Sequence, residues 1–359
     1  MSGREMTDSG VMQRHGGDLY GHPGLLDFSA NINPLGMPES VREAAVQGVM
    51  QAEHYPDAQM RALTEAYAAY LGVPDYWILF GNGASELIRI LPAAMRSYGS
   101  EEERLENVIV TPPFFQEYAD AAEGAGCRLV KAPRWEVLGG AVPHARSLLF
   151  IGNPANPDGS RIRRETVLRL AAHCPALKIC VDESFLPFCE DAQAGSVVPY
   201  LFDYPNLFVI RSFTKIFAMP GLRLGALLSA SAGITQKARS MLQPWPVSLP
   251  AQMAGEAALA EKDFVRRTVQ YVKEERAFLV RGLEAVPFVD KILPSPANFI
   301  LFHVQEAAPH ALYAQMIGKG ILIRDCASFA AAAGSGETGW YRIAVRTHRE
   351  NEQLLAAMV

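Results

Sequence analysis

Five short apolar runs separated by amphipathic segments constrain the fold of this 359-residue chain more than any other feature. The runs occupy residues 108–110, 148–151, 179–181, 207–210 and 224–228. Helical spacing of apolar residues marks segments between them, such as 117–125 and 163–173. Apolar strands that alternate with helices are typical of a mostly parallel sheet with helices on both faces. The sequence therefore predicts an α/β protein.

The remaining chain predicts a second, smaller α/β domain. After residue 250 the pattern favours helices, including a long polar one near 262–284, and then strands near 298–303, 321–324 and 340–346. We expect residues 1–50 to form an N-terminal arm and part of the small domain, 51–245 the large cofactor-binding domain, and 246–359 the small C-terminal domain.

Local signals predict several shorter features. Ser40 with Glu43 fits a capping box at a helix start, and apolar spacing over 60–71 predicts a helix that Gly72 ends. The Ala/Gly-rich segment 330–336 predicts a loop.

Composition excludes several classes of protein. A net charge of −5 and a pI near 5.9 give no basic surface for nucleic acid. No apolar run approaches the roughly 18 residues of a membrane helix, and the N-terminus lacks the apolar core of a signal peptide. Five cysteines without a C-x-x-C pair favour a reducing compartment, and the eight histidines show no metal-ligand spacing. We therefore expect a cytoplasmic protein without a metal site.

Polar residues follow the apolar runs at the points where ligands bind to parallel sheets, outside the carboxyl ends of the strands. An amide, a carboxylate, two hydroxyls and an amine reach this edge, from Asn156, Asp182, Ser212, Thr214 and Lys215. Together they are the groups that a pyridoxal 5'-phosphate (PLP) site requires.

Each of these groups has a chemical reason to be there. The amine of Lys215, among apolar neighbours that lower a lysine pKa, can form a Schiff base with PLP. Asp182 can keep the pyridine nitrogen protonated, and Asn156 can donate to the ring oxygen. Taken alone, Lys215 could be a surface lysine, Asp182 a strand-end aspartate and Asn156 a loop asparagine. The prediction rests on their combination.

The cofactor phosphate needs its own cradle. Gly83, Ala84 and Ser85 form a strand-to-helix turn whose backbone N–H groups can bind phosphate, with Ser212 and Arg223 adding a hydroxyl and a positive charge. A glycine-rich turn alone is a weak signal, since plain strand-to-helix turns share it.

The segment Ser212-Phe213-Thr214-Lys215, followed by Pro220-Gly221-Leu222-Arg223-Leu224-Gly225, resembles the class I/II aminotransferase superfamily, fold type I of the PLP enzymes. The resemblance implies that Phe115 stacks on the pyridine ring. It also implies a homodimer in which Tyr55 reaches the cofactor phosphate across the interface. One departure is Asp158, which stands where the family has Thr after Asn-Pro.

Within the superfamily, three segments resemble the L-threonine-O-3-phosphate decarboxylases of cobalamin biosynthesis: His15-Gly16-Gly17 ahead of 27–36, then 323–329 and 341–346. Phe185 stands where the histidinol-phosphate aminotransferases have a Tyr bonded to the ring oxygen.

This resemblance implies a phosphorylated amino acid as the substrate. Arg342 and Asn156 would bind near its carboxylate. Its phosphate would be bound by a set of polar residues: His15, Arg324, Asn33 and Arg346. The implied reaction converts L-threonine O-3-phosphate to (R)-1-amino-2-propanol O-2-phosphate.

Three alternatives stay open at the level of sequence. The first is a histidinol-phosphate aminotransferase or another class I/II aminotransferase. The second is a non-catalytic PLP-binding module of a regulator, against which the lack of a basic helix-turn-helix counts. The third is an α/β binding protein without a cofactor.

Overall fold

The computed structural model describes residues 15–141, 145–305, 307–329 and 338–359; the loop predicted at 330–336 lies outside them. The strands are β1 (Leu26–Asp27), β2 (Ile78–Asn82), β3 (Asn107–Val110), β4 (Arg128–Lys131), β5 (Ser147–Gly152), β6 (Lys178–Asp182), β7 (Leu207–Ser212), β8 (Leu224–Leu228), β9 (Val289–Ile292), β10 (Phe299–Val304), β11 (Ile321–Leu322), β12 (Arg324–Asp325) and β13 (Trp340–Ala344). The helices are α1 (Glu39–Met50), α2 (Arg61–Leu71), α3 (Ala84–Arg96), α4 (Glu117–Gly124), α5 (Arg134–Leu138), α6 (Arg164–His173), α7 (Ala192–Gly195), α8 (Phe213–Ile216), α9 (Ala232–Met241), α10 (Leu249–Ala260), α11 (Lys262–Glu284), α12 (Ala311–Gly318) and α13 (His348–Met358).

All five apolar runs form strands of one seven-stranded sheet, in the order β2-β8-β7-β6-β5-β3-β4. Neighbours from β7 to β4 pair in parallel, whereas β8 is antiparallel to both β7 and β2. Residues 213–223, which join β7 to β8, are fewer than the dozen or more that a parallel crossover takes, so the strand returns antiparallel. The predicted α/β fold with a mostly parallel sheet is confirmed.

Helices cover this sheet on both faces because its strands are apolar on both. In β5, Leu148 and Phe150 belong to one buried cluster, while Leu149 and Ile151 belong to the other. This alternation follows from the period of two along a strand. Helices α3, α4 and α9 supply the first cluster, and α6 contributes to the second.

A second sheet, in the order β12-β13-β10-β9, is antiparallel. The predicted strand at 321–324 is divided here, because β11 pairs in parallel with β1 whereas β12 pairs with β13. The N-terminal segment is tied to this region: Phe28 N donates to Leu322 O at 2.8 Å, and Ala344 N donates to Phe28 O at 2.8 Å. The exact division of the chain into domains stays a prediction.

Two helix-end predictions have different outcomes. Helix α2 spans Arg61–Leu71 and ends at Gly72, whose φ of 69° is left-handed, as the pattern predicts. The capping box at Ser40 is wrong: α1 begins at Glu39 after Pro38, without a side-chain cap, and Ser40 Oγ donates to Glu261 Oε1 at 2.5 Å.

The described residues contain neither a membrane-spanning helix nor a cluster of metal ligands. No helix there combines the length and apolar character that a bilayer-spanning segment needs. No group of three or more His, Cys, Asp or Glu side chains in those residues could hold a metal ion.

Candidate active site

A cavity of about 800 Å³ opens where the carboxyl ends of β5, β6 and β7 meet the second sheet and the N-terminal segment. Most of the site residues predicted from the sequence line it: His15, Ala84, Ser85, Phe115, Asn156, Asp182, Phe185, Ser212, Thr214, Lys215, Arg223, Arg324, Arg342 and Arg346. Gly83, Asn33 and Tyr55 are not among the lining residues.

Lys215 lies in the short helix α8, directly after β7. Ser212 caps this helix, since its Oγ accepts from Thr214 N at 3.3 Å, and the two hydroxyl oxygens are 2.6 Å apart. Burial, followed by the positive charges of Arg342 and Arg223, lowers the pKa of Lys215 to about 8. At near-neutral pH a larger fraction of this amine is therefore neutral, and nucleophilic, than of an exposed lysine.

Asp182 ends β6 and is buried. Its Oδ1 accepts from Ser184 N at 3.0 Å, and its Oδ2 accepts from the hydroxyl of Tyr118 at 2.8 Å. Burial raises the pKa of this carboxyl, and a cationic partner beside it would favour its ionised form. A protonated pyridine nitrogen is such a partner, and the residue therefore fits the predicted cofactor.

Tyr118 was not predicted from the sequence. Burial raises its pKa well above 10, so its hydroxyl stays a donor toward Asp182. Its ring stacks on Phe150 at 4.7 Å between centroids and meets Phe115 edge-on at 5.8 Å. Phe115 lies just before α4 and Tyr118 in its first turn, and their spacing of three was the available signal.

The predicted phosphate cradle has the expected shape. Helix α3 begins at Ala84 with no side chain of the described chain capping it, which leaves its first N–H groups for an anion. A Cβ at Gly83, whose φ is 81°, would lie 2.4 Å from Arg223 Nη2. That distance places the guanidinium of Arg223 beside this helix start, and its Nη1 donates to Pro220 O at 3.3 Å. The residues present therefore fit PLP at its ring nitrogen, its aldehyde carbon and its phosphate.

Two aromatic side chains complete the predicted cofactor set. Phe115 lines the cavity, and Phe185 lines it with its ring packed edge-on against Phe299 at 5.0 Å. Neither Phe ring can donate a hydrogen bond, so the wall at Phe185 offers apolar surface where a Tyr would offer a hydroxyl.

Two buried arginines stand opposite each other in the second sheet. Arg324 of β12 and Arg342 of β13 are register partners, with 5% and 6% of their surfaces exposed. Burial lowers the pKa of both, to about 10 for Arg342. Like charges directly opposite each other destabilise an antiparallel pair. The arrangement therefore favours an anionic ligand between them.

Both arginines are held in place by the fold. Arg342 Nη2 donates to Ser29 O at 2.8 Å, and its Nη1 donates to Asn156 Oδ1. Arg324 Nη2 donates to Ser328 Oγ at 3.2 Å. The contact between Arg342 and Asn156 joins the second sheet to the edge of the first.

Two further predicted substrate-binding residues, Arg346 and His15, line the cavity. Arg346 is paired with Glu350, Nη2 to Oε1 at 2.7 Å. His15 Nε2 lies 3.1 Å from Glu117 Oε1, and its ring meets Phe115 edge-on at 6.2 Å. Glu117 was not predicted from the sequence, because an acidic residue in the first turn of a helix is common.

Asn33 has a different role from the predicted one. Its Nδ2 donates to Ile216 O at 2.6 Å and to Thr268 Oγ1 at 2.8 Å, while its Oδ1 accepts from Leu35 N at 3.0 Å. Its amide thus fixes the chain that follows Lys215 and is not free to bind a substrate phosphate.

Tyr55 lies away from the cavity of its own chain. Its side chain is 78% exposed and stacks on Trp245 with 4.3 Å between centroids. A role at the cofactor phosphate would therefore require a second copy of the chain.

Comparison with known proteins decides the family. The model of the family described as aminotransferase class I and II matches residues 23–358. This chain belongs to that family. The chain is 34% identical to a threonine-phosphate decarboxylase of Salmonella typhimurium, over 93% of this chain and 90% of that protein. It is 30% identical to histidinol-phosphate aminotransferase 2 of Ralstonia nicotianae, over 93% of this chain and 88% of that protein.

A solved structure supports the cofactor. The histidinol-phosphate aminotransferase of Sinorhizobium meliloti in complex with pyridoxal-5'-phosphate matches with a TM-score of 0.79 and 25% identity, covering 92% of this chain and 88% of that chain. PLP is therefore the cofactor of the present chain, as its sequence predicts. The chain is an enzyme of the class I/II superfamily.

Proposed function

We propose that the protein decarboxylates L-threonine O-3-phosphate to (R)-1-amino-2-propanol O-2-phosphate, a step of cobalamin biosynthesis. The observation that carries the proposal is the pair of opposed, buried arginines beside Lys215, Arg324 and Arg342. A carboxylate and a phosphate on one small amino acid would satisfy both. The 34% identity to a threonine-phosphate decarboxylase supports the same substrate.

The residues of the chain divide the work. When bound, PLP supplies an electron sink for the pair left by a bond broken at the substrate Cα. Asp182 lines the cavity as the carboxyl that can face the ring nitrogen, and the amine of Lys215, whose pKa is about 8, can accept or deliver a proton at Nζ. The opposed arginines bind and orient the two anionic ends of the substrate.

Orientation decides which bond at Cα breaks. The bond that stands perpendicular to the plane of the cofactor ring is weakened, because its electrons can then enter the ring system. A phosphate clamped by Arg324 and His15 anchors the substrate away from its reacting carbon and can present the Cα–carboxylate bond. Remote binding energy used in this way fixes a reactive geometry. The carbon–carbon bond then breaks, and carbon dioxide leaves. The electron pair left at Cα takes up a proton, either from the ammonium form of Lys215, which regains a proton from solvent, or from water.

Phe185 supports the decarboxylase proposal through its resemblance to the decarboxylase pattern. The related aminotransferases are expected to carry a Tyr hydroxyl there, and this chain offers only the edge of a ring packed on Phe299. The second candidate is a histidinol-phosphate aminotransferase, which the 30% identity to such a protein supports.

A direct experiment separates the two. The PLP-loaded protein is given L-threonine O-3-phosphate in one vessel, and histidinol phosphate with 2-oxoglutarate in another. Carbon dioxide from the first and no glutamate from the second is the expected result. Glutamate without carbon dioxide would refute the decarboxylase proposal and leave an aminotransferase.

We further propose that the enzyme works as a homodimer in the cytoplasm, with Tyr55 completing the cofactor phosphate site of the second copy. The exposed apolar side chains Val46, Val49 and Met50 on α1, together with the Tyr55–Trp245 stack, support an interface there. Light scattering at micromolar concentration is expected to give twice the mass of 39.2 kDa.

A further inference from the structure

Among the described residues, Glu117 is one of three carboxylates that line the cavity, with Asp27 and Asp182, and it is the one in contact with His15. Glu117 is the first residue of α4, and only 5% of its side chain is exposed. The hydrogen bond from His15 is the main cause that lowers its pKa to about 2, so it is fully ionised at neutral pH. An unpaired negative charge here would repel an anionic substrate. The partners of the Glu117 carboxylate therefore matter for substrate binding.

Two nitrogen-bearing side chains contact this carboxylate on separate oxygens. Glu117 Oε1 is 3.1 Å from His15 Nε2, and Oε2 accepts from Arg89 Nε at 2.8 Å. Arg89 does not line the cavity, whereas His15 does. The two contacts thus connect one buried acid to a structural partner on α3 and to a predicted substrate-binding residue.

His15 depends on this contact for its position. Its side chain is 53% exposed, in the segment that precedes β1. Within the described chain, Glu117 is the one polar group found against the imidazole, and Phe115 contributes an edge-on ring contact at 6.2 Å. With Nε2–H donated to Glu117, the contact leaves the other ring nitrogen, Nδ1, unused, and Nδ1–H can donate to an anionic ligand when the ring is an imidazolium.

We propose that Glu117 is a positioning residue that holds the imidazole of His15 at the cavity wall, so that its second ring nitrogen binds the phosphate of the substrate. The inference rests on the proposed function in one respect, that a phosphate ester occupies this end of the cavity. The proposal adds Glu117 as a residue that affects phosphate binding only through His15. In metal sites, carboxylates orient histidine ligands in the same way.

Binding of inorganic phosphate to the PLP-loaded protein tests this without any turnover, since the cofactor fills its own phosphate site. Calorimetry compares wild type, Glu117→Gln, His15→Asn and the double variant. We expect each single variant to weaken phosphate binding about five- to tenfold, the size of one charge-assisted hydrogen bond at a half-exposed group. The double variant is expected to lose no more than His15→Asn alone, because Glu117 acts through His15.

Arg89→Gln is the matched control, since it removes the other partner of Glu117 and leaves the contact with His15. Its phosphate affinity is expected to stay within about twofold of wild type. If Arg89→Gln weakens phosphate as much as Glu117→Gln, or if the two losses multiply in the double variant, Glu117 supports the helix and the proposal is overturned. A Glu117→Gln protein that binds phosphate like wild type overturns it as well.

Two further outcomes are kept apart. Should Glu117→Gln fail to fold, Glu117→Asp keeps the charge but withdraws it by about one C–C bond, and weaker phosphate binding is again expected. Phosphate binding that responds as described, in a protein that releases no carbon dioxide from L-threonine O-3-phosphate, would refute the proposed function and keep this inference. A PLP-loaded wild type that binds no inorganic phosphate would overturn the inference.

Discussion

Replacing the buried amine of Lys215 with an apolar side chain should make the PLP-free protein more stable, by an amount that depends on pH. Burial and the charges of Arg342 and Arg223 lower the pKa of Lys215 from 10.5 to about 8. One pH unit corresponds to about 1.4 kcal/mol, so this difference amounts to roughly 3 kcal/mol against the folded state. Lys215→Met removes that penalty.

The direction in which stability changes with pH follows from the number of protons that the folded and unfolded chains bind. Between pH 8 and 10.5 the unfolded chain binds one more proton than the folded chain, so the stability of wild type rises with pH through this window. Below pH 8 both states carry the proton, and the full penalty is present. The advantage of Lys215→Met is therefore greatest below pH 8 and shrinks by roughly 3 kcal/mol as pH approaches 10.5.

Urea unfolding of the PLP-free proteins at a series of pH values measures this difference directly. Lys131→Met, at an exposed position on the edge strand β4, is the matched control. The difference in unfolding free energy between Lys131→Met and wild type should be the same at each pH. Groups that titrate equally in wild type and variant cancel from the difference between their unfolding free energies. A stability difference for Lys215→Met that stays constant from pH 7 to 10.5 would refute the argument that this amine is held in an unfavourable environment.

Three other changes have expected outcomes. Asp182→Asn should retain PLP but lose at least about 100-fold in turnover, measured by carbon dioxide release, because its amide cannot hold the ring nitrogen protonated. Gly83→Ala should weaken PLP binding, measured by absorbance titration, because its φ is 81° and the added Cβ would lie 2.4 Å from Arg223 Nη2. Arg324→Met should raise KM for the phosphorylated substrate at least about tenfold and leave thermal stability equal or higher, because it ends the opposition of two buried charges with Arg342. Unchanged PLP affinity in the glycine variant, or an unchanged KM in the arginine variant, would contradict these assignments.

The sheet could be predicted from the sequence because its strands are buried on both faces. Such strands are continuous apolar runs, and all five runs are strands. The capping box at Ser40 failed for a tertiary reason, since the hydroxyl bonds to Glu261, far along the chain. The predicted strand at 321–324 changes partners at Ile323, and pairing partners are not encoded in a run of four residues.

The cofactor residues could be predicted because strand ends of a parallel sheet meet at one edge, so chain order alone brings Asn156, Asp182 and Lys215 together. The second layer of contacts could not. Asn33 belongs to a recognisable motif, yet its amide donates to Ile216 O inside the protein. Glu117 is an acidic residue of a kind common at helix starts, yet its carboxylate contacts His15. Only the packing of distant segments decides where such side chains point.

The claim on which all else depends is that Lys215 carries PLP in the cavity at the end of β7. Reduction of the PLP-loaded protein with borohydride, followed by peptide mass spectrometry, locates the attachment. The account predicts one modified residue, Lys215, and no stable attachment in Lys215→Met. A phosphopyridoxyl group on another lysine, or equal labelling of the variant, would contradict it.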